Sequence, residues 1–227
     1  MIKNLDGSKL THSYSSIKMY ENCPKRYLHE RINKEVKFEG NEVTRYGERV
    51  HSDLENRLLN GTPLPKETMI HEEVCARIEE LTKKPTKLYL EQGLCLNANL
   101  TPTGWYDNDA WLRSILDLLI VKENSAIVID WKTGKRRLDF TQLQLFALQV
   151  FKHYPHIKKV KASFVWLKEG AIDSETYNHS DTNLLWADIL ARIERINQSY
   201  ITGNFPAKPS GLCPWCPAKN ICEYAQL

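Results

Sequence analysis

Ile115-Leu-Asp117-Leu-Leu-Ile-Val121 and Ser125-Ala-Ile-Val-Ile-Asp130-Trp-Lys132 are two apolar runs separated by a few polar residues. Each reads as a buried strand, and the tight turn at 122–125 makes them antiparallel neighbours. Each also carries a carboxylate among apolar side chains. An isolated carboxylate taken out of water costs several kcal/mol in practice, so it is normally paired or bound to a metal. Asp130 and Lys132 are two apart and leave the same face of their strand. Two carboxylates and an ammonium therefore converge, a group able to hold a divalent cation that activates water and polarises a phosphoryl oxygen. Lys132 would orient or deprotonate the attacking water, or stabilise charge in the transition state. The plainer alternative is that both aspartates are structural, paired with Lys132 or an arginine.

Working outward, apolar periodicity predicts helices over 14–32, with Ser13 as N-cap, and over 44–60, stopped by Gly61 and Pro63. A third helix is expected over 66–82, ending near Pro85, and others over 139–153 and 181–200. Strands are expected over 87–96, 111–121, 125–131 and 160–168, and the chain is irregular from Gly203 onward. This order suggests an α/β or α+β fold with a central mixed sheet. At 227 residues the chain suits one domain with a sizeable core. Its parts are a helical region at 44–85, a sheet core at 87–168 and a cysteine-rich tail at 203–227. The opening Met1 to Ser8 has no apolar signal core, and no stretch approaches a membrane span, which points to the cytoplasm, of a cell or of an infected host.

Other candidates are weaker alone. His51 and Glu55 lie one helical turn apart beside the stripe Val50, Leu54, Leu58, where a histidine is more often a boundary residue than a ligand. Glu91 is an acid on an expected strand. Gln142 opens a helix soon after Lys132 and could reach a phosphate or water, although a surface amide is its default reading.

Six cysteines without an export signal read as thiols or metal ligands rather than disulfides. Cys213-Pro-Trp-Cys216 followed by Cys222 places three thiols at chelating spacing, and Cys23 is the fourth candidate; from spacing alone, zinc and iron–sulfur stay open. Cys75 and Cys95 fit as small buried hydrophobes. The net charge of +3 permits a polyanionic partner without demanding one. The run Lys132, Lys135, Arg136, Arg137 lies close enough to touch phosphates, whereas Lys158, Lys159 and Lys161 fit a solvated face. Tyr14, Tyr20, Tyr27 and Trp105 could stack on bases or belong to the core.

Taken in order, His51, the Asp117 strand, Asp130-Trp-Lys132 and the Gln142 helix resemble the PD-(D/E)XK nucleases, in their RecB-like branch, as does the opening Ser13-Tyr-Ser-Ser-Ile-Lys-Met-Tyr20 through Tyr27. The resemblance spans about 12–224 and implies a restriction-endonuclease-like fold. It implies that His51, Asp117 and Asp130 bind Mg or Mn with the carbonyl of Trp131, that Lys132 is the catalytic lysine, and that Glu91 is an auxiliary acid. Gln142 matches the glutamine of the branch's Gln-x-x-x-Tyr motif; the chain departs from the pattern at Phe146, where the motif has tyrosine, and at Ile115, where a glycine is common. One early cysteine with a terminal Cys-x-x-Cys-x5-Cys is similar to the AddB-type and CRISPR-adaptation exonucleases, which implies a 4Fe–4S cluster held by Cys23, Cys213, Cys216 and Cys222, with structural zinc as the alternative. The expected activity is exonucleolytic cleavage of single-stranded DNA or DNA ends, alone or with a helicase, recombinase or integrase complex. A non-catalytic DNA-binding module and a zinc-stapled interaction protein are the rivals.

Overall fold

The computed structural model describes residues 10–83 and 86–225. The expected end of the third helix near Pro85 and the reading of Met1 to Ser8 lie outside them. Five strands form one sheet in sequence order: β1 (Lys87–Leu96), β2 (Leu112–Val121), β3 (Ser125–Lys132), β4 (Lys159–Trp166) and β5 (Ala171–Asn178). β3 and β4 are parallel, joined across helix α5 (Thr141–His153), and the other pairs are antiparallel. The result is the mixed α/β arrangement of the restriction-endonuclease-like fold, with helices on both faces of the sheet. Among the described residues no helix is long and apolar enough to cross a membrane.

Helix α1 (Tyr14–Asn22) begins where expected: the Ser13 hydroxyl accepts from the Ser16 N–H at 3.2 Å, and Ser16 returns the bond in a capping box. It does not run on to Ile32. Pro24 disfavours a helical Cys23, which is extended at φ −161°, ψ 105°, before a short helix α2 (Pro24–Tyr27) and a π turn resume the path. Helix α3 (Glu42–Asn60) is capped by Asn41 and ends at Gly61, whose φ of 68° is a left-handed stop. The expected third helix starts late, at Glu72, as α4 (Glu72–Thr82), after a 3-10 turn. Strand β5 was not expected: only Tyr177 in it is buried, so it has no apolar run to read. Helix α6 (Thr182–Thr202) closes against α1 and α5.

The sheet serves two cores, and the way it divides them locates the site. Ala126, Val128, Phe164 and Trp166 pack with α5, whereas Ile129, Trp131 and Val165 pack with Val50 and Leu54 of α3 and Cys75 and Ile78 of α4. Strict alternation should hold along each strand. In β2, Leu118 and Ile120 face the α3 side but Leu116, of the same parity, faces α5. In β1, Leu88 and Leu90 face α3 while Leu94 faces α5. Both strands therefore exchange faces at one level, at Glu91 and Asp117. Glu91 has a φ of 46°, a left-handed conformation rare for a side-chain-bearing residue, and the β1–β2 ladder keeps one register on either side of it.

Candidate active site

The β2–β3 ladder ends at the pair Leu118 and Ile129, and Asp117 and Asp130 stand one step beyond. The strands part there, and Asp117 Oδ2 accepts the Trp131 N–H at 2.7 Å, replacing a ladder bond with a side chain. Asp130 lies on the α5 face. Its Oδ1 accepts from Gln142 Nε2 at 2.9 Å, Lys132 Nζ stands 2.5 Å from its Oδ2, and Lys132 Nζ donates to Gln142 Oε1 at 3.0 Å. Asp130, Lys132 and Gln142 thus close a triangle. Gln142 stands inside it rather than on open surface.

The α3 side supplies His51. Gly47, one turn earlier, brings the helix close to the end of β3: a Cβ there would meet Thr133 Oγ1 at 3.1 Å. His51 Nε2 donates to the Trp131 carbonyl at 3.1 Å, and its Nδ1 lies 3.4 Å from Asp117 Oδ1. The carbonyl can only accept, so Nε2 carries a proton, and the carboxylate favours a second on Nδ1. Burial works to lower the His51 pKa but is outweighed by the hydrogen bond and charge of Asp117, with Asp130 and Glu91 behind it, so the net shift is upward. The buried carboxylates thus each have a cation: an imidazolium for Asp117, an ammonium for Asp130.

Asp130 is 3% exposed, and burial pushes its pKa up to about 6, with Lys132 opposing and Asp117 adding to the rise. Glu91 is also shifted upward, first by burial and then by the Asp117 charge. One atom each of His51, Glu91 and Asp117 lie within 4.8 Å of one another, the one such cluster of potential metal ligands among the described residues. It includes Glu91 and omits Asp130, which is turned toward Lys132 and Gln142. An open cleft with Glu48 and Glu55 at its mouth leads to it.

This donor set fits a hard divalent cation. It offers an imidazole nitrogen, carboxylates and a carbonyl and no thiol. Such an ion would be held by His51, Asp117, Glu91 and the Trp131 carbonyl, with Asp130 at its edge, and would supply charge to polarise a phosphoryl oxygen and activate water. Lys132, oriented by Asp130 and Gln142, is a fixed donor that would be able to stabilise charge developing on a phosphate.

The other expected residues fall in separate places. Cys23, Cys213, Cys216 and Cys222 line one cavity and are all free thiols. Cys213 Sγ accepts the Ser210 N–H at 3.3 Å and Cys23 Sγ that of Lys208 at 3.5 Å. Cys75 and Cys95 are buried. Arg136 is claimed by Asp173, on which Nε rests at 2.7 Å, so the basic run after Lys132 is not all free to meet phosphates. Lys159 and Lys161 pair with the start of β3, at the opposite end of the sheet from Asp130. Tyr20 and Tyr27 are core residues. Sequence reasoning did not single out Arg31, Arg113 or His12, which line a cavity reaching Gln142; no periodicity or motif marks them.

No curated protein matches the sequence. Among solved structures, the chain is similar to a putative exonuclease from Eubacterium rectale at 13% identity and a TM-score of 0.55, over 92% of this chain and 87% of that one. It also matches an alkaline exonuclease from Laribacter hongkongensis at 11% identity and a TM-score of 0.43, over 85% and 90%. At 13% identity the likeness to the putative exonuclease is one of fold. A family model described as the PD-(D/E)XK nuclease superfamily matches residues 11–223, nearly the whole described chain, and the protein belongs to that superfamily.

Proposed function

We propose that the protein is a RecB-like, Mg- or Mn-dependent DNA exonuclease acting on single strands or strand ends, with residues 1–227 working as one catalytic unit. The observation that carries this reading is the closed triangle of Asp130, Lys132 and Gln142 beside the convergence of His51, Glu91 and Asp117. A scaffold that had abandoned catalysis would have no need to keep a buried carboxylate that only a half-buried lysine compensates. In this reading His51, Asp117, Asp130, Glu91 and the Trp131 carbonyl hold the ion, Lys132 is the catalytic cation, and Gln142 positions it.

The tail supports a second assignment, a 4Fe–4S cluster held by Cys23, Cys213, Cys216 and Cys222. All four line one cavity, backbone N–H groups already point at two of the sulfurs, and burial raises the Cys216 pKa, so a bound cation would be needed to keep it a thiolate. The cluster would pin the tail to α1 and α2. Zinc on the same thiols is the alternative, and the colour of anaerobically purified protein separates the two. A cytoplasmic setting keeps such thiols reduced. Strand separation would fall to a partner, such as a helicase, recombinase or integrase complex.

The test is Mn-dependent digestion of end-labelled single- and double-stranded DNA, with Asp130→Ala as control. Release of labelled nucleotides by wild type and not by the variant supports the nuclease and identifies the end attacked. Equal inertness of both, with DNA binding retained, would replace it with the binding-module reading.

A further inference from the structure

In the parallel pairing of β3 with β4, Asp130 stands beside Phe164 and Lys132 beside Trp166. All four side chains leave the sheet on the α5 face. Lys132 turns back along its strand to reach Asp130, and this carries its Nζ over the ring of Phe164, 5.1 Å from the ring centre. A cation within about 6 Å of an aromatic centre is attracted to the negative face of the ring. The phenylalanine is 3% exposed and the lysine side chain 29%, so the contact is largely shielded from water.

Phe164 is itself held from two sides. Phe140 lies nearly parallel to it, with ring centres 6.2 Å and planes 20° apart, and Trp166 packs against it at 5.6 Å. Phe140 is the N-cap residue of α5, so the helix start that presents Gln142 also backs the ring. Trp166 is fixed in turn by its indole N–H, which donates to Asp173 Oδ2 at 2.7 Å, and Asp173 is clamped by Arg136. An ammonium has three N–H donors. Asp130 Oδ2 and Gln142 Oε1 take two of them. At 5.1 Å the ring draws on the charge without taking a donor, which leaves the third for an oxygen of the substrate. An ion in the acidic row would compete with Lys132 for Asp130, but not for Phe164.

We propose that Phe164 is a positioning residue for the reaction, its ring face keeping the Lys132 ammonium beside Gln142 and aimed at the substrate phosphate. This role rests on the nuclease reading and deepens it, giving the catalytic lysine an aromatic partner besides its two oxygens. If Phe164 only filled the layer under α5, a ring of the same size would serve whatever its charge distribution. If it holds the ammonium, the negative charge on the ring face is what matters.

The test replaces Phe164 with phenylalanine bearing one, two and three ring fluorines, which withdraw charge from the ring face at almost constant volume. With Mn and single-stranded DNA, kcat should fall in steps, to about fivefold below wild type at three fluorines. KM and the melting temperature should stay as they are, because the lysine acts on the transition state alone. Phe164→Leu should lose at least as much in kcat. A second measurement needs no cleavage. In the metal-free protein the Lys132 Cε protons, identified by their loss in Lys132→Ala, should resonate upfield of other lysines through the ring current of Phe164. In Phe164→Leu they should return to the ordinary position. A graded fall in kcat together with the upfield signal supports the role. Equal kcat across the fluorinated series, or Lys132 protons at the ordinary position in the wild type, overturns it and leaves the nuclease standing. Wild type that shows the upfield signal yet cleaves no DNA overturns the nuclease reading, and the positioning role with it.

Discussion

The acidic row and the cysteine tail are both candidate metal centres, yet they are held in opposite ways. The acidic row is built by the sheet: register sets Asp117 beside Asp130, the flanking residues Leu116, Leu118 and Ile129 are buried, and His51 and Lys132 neutralise the carboxylates without any ion. The tail has little core after Phe205: Ala218 is buried, but Leu212, Trp215 and Ile221 are 74%, 82% and 50% exposed. Beyond Phe205, which is buried in the core with α1 and α6, it is tied down by a few backbone bonds, the Lys208 Nζ bond to the Glu21 carbonyl at 2.8 Å and the Lys25–Glu223 ion pair at 3.7 Å. The acidic row is organised by its own packing and ion pairs; on the proposed cluster reading, the tail would rely on its metal for organisation.

The largest effect that would sharpen this contrast is on chemistry. Lys132→Ala should lower the DNA cleavage rate by about 100- to 1000-fold, the usual loss for one transition-state donor. The fold should persist, but the melting temperature should drop at neutral pH because the variant leaves the buried Asp130 carboxylate without its cation. The drop should fade toward acid pH, where Asp130 takes up a proton; loss of the far-UV signal of the sheet and helices would break the claim of a pre-built row. Cys23→Ser should do the reverse. Limited proteolysis should cut the variant after Gly203, and metal content should fall, while the far-UV circular dichroism of the sheet and helices persists. A tail that stays protected in the chelated or substituted protein would overturn the asymmetry.

A smaller effect concerns pH. Asp130 is raised from 3.8 to about 6 by burial, so the native state keeps a proton that the unfolded chain has already lost. The metal-free protein should therefore lose stability as pH rises from about 4 to about 6. Melting in chelator checks this, and Asp130→Asn should flatten the profile. His51 has its pKa raised as well, and it must be neutral to ligate, so metal affinity should fall on acidification from a point above the ordinary histidine range. The smallest change is expected from Gly47→Ala. Its Cβ would press on Thr133, displace His51 slightly and raise the metal concentration needed for activity, with full activity recovered at saturating metal.

Much of this was legible in the sequence, because a charge inside an apolar run is informative wherever it falls. Asp117, Asp130 and Lys132 stood out for that reason, and the strands that carry them were bounded within a residue or so. Glu91 read only as an acid on a strand, since a left-handed residue leaves no trace in composition. Strand β5 was illegible because an exposed edge strand has no burial pattern to betray it.

The exchange of faces at Glu91 and Asp117 has a consequence for how such a protein can change. Leu88, Leu90, Leu116, Leu118 and Leu119 in the middle of β1 and β2 each owe their side chain to one core or the other, and substitution there disturbs a packed layer. The level of the exchange is owed to neither. Asp117 is tied there by the Trp131 N–H, but Glu91 is exposed and carries no such bond, so exchange of that one acid would alter the donor set while the scaffold stays the same.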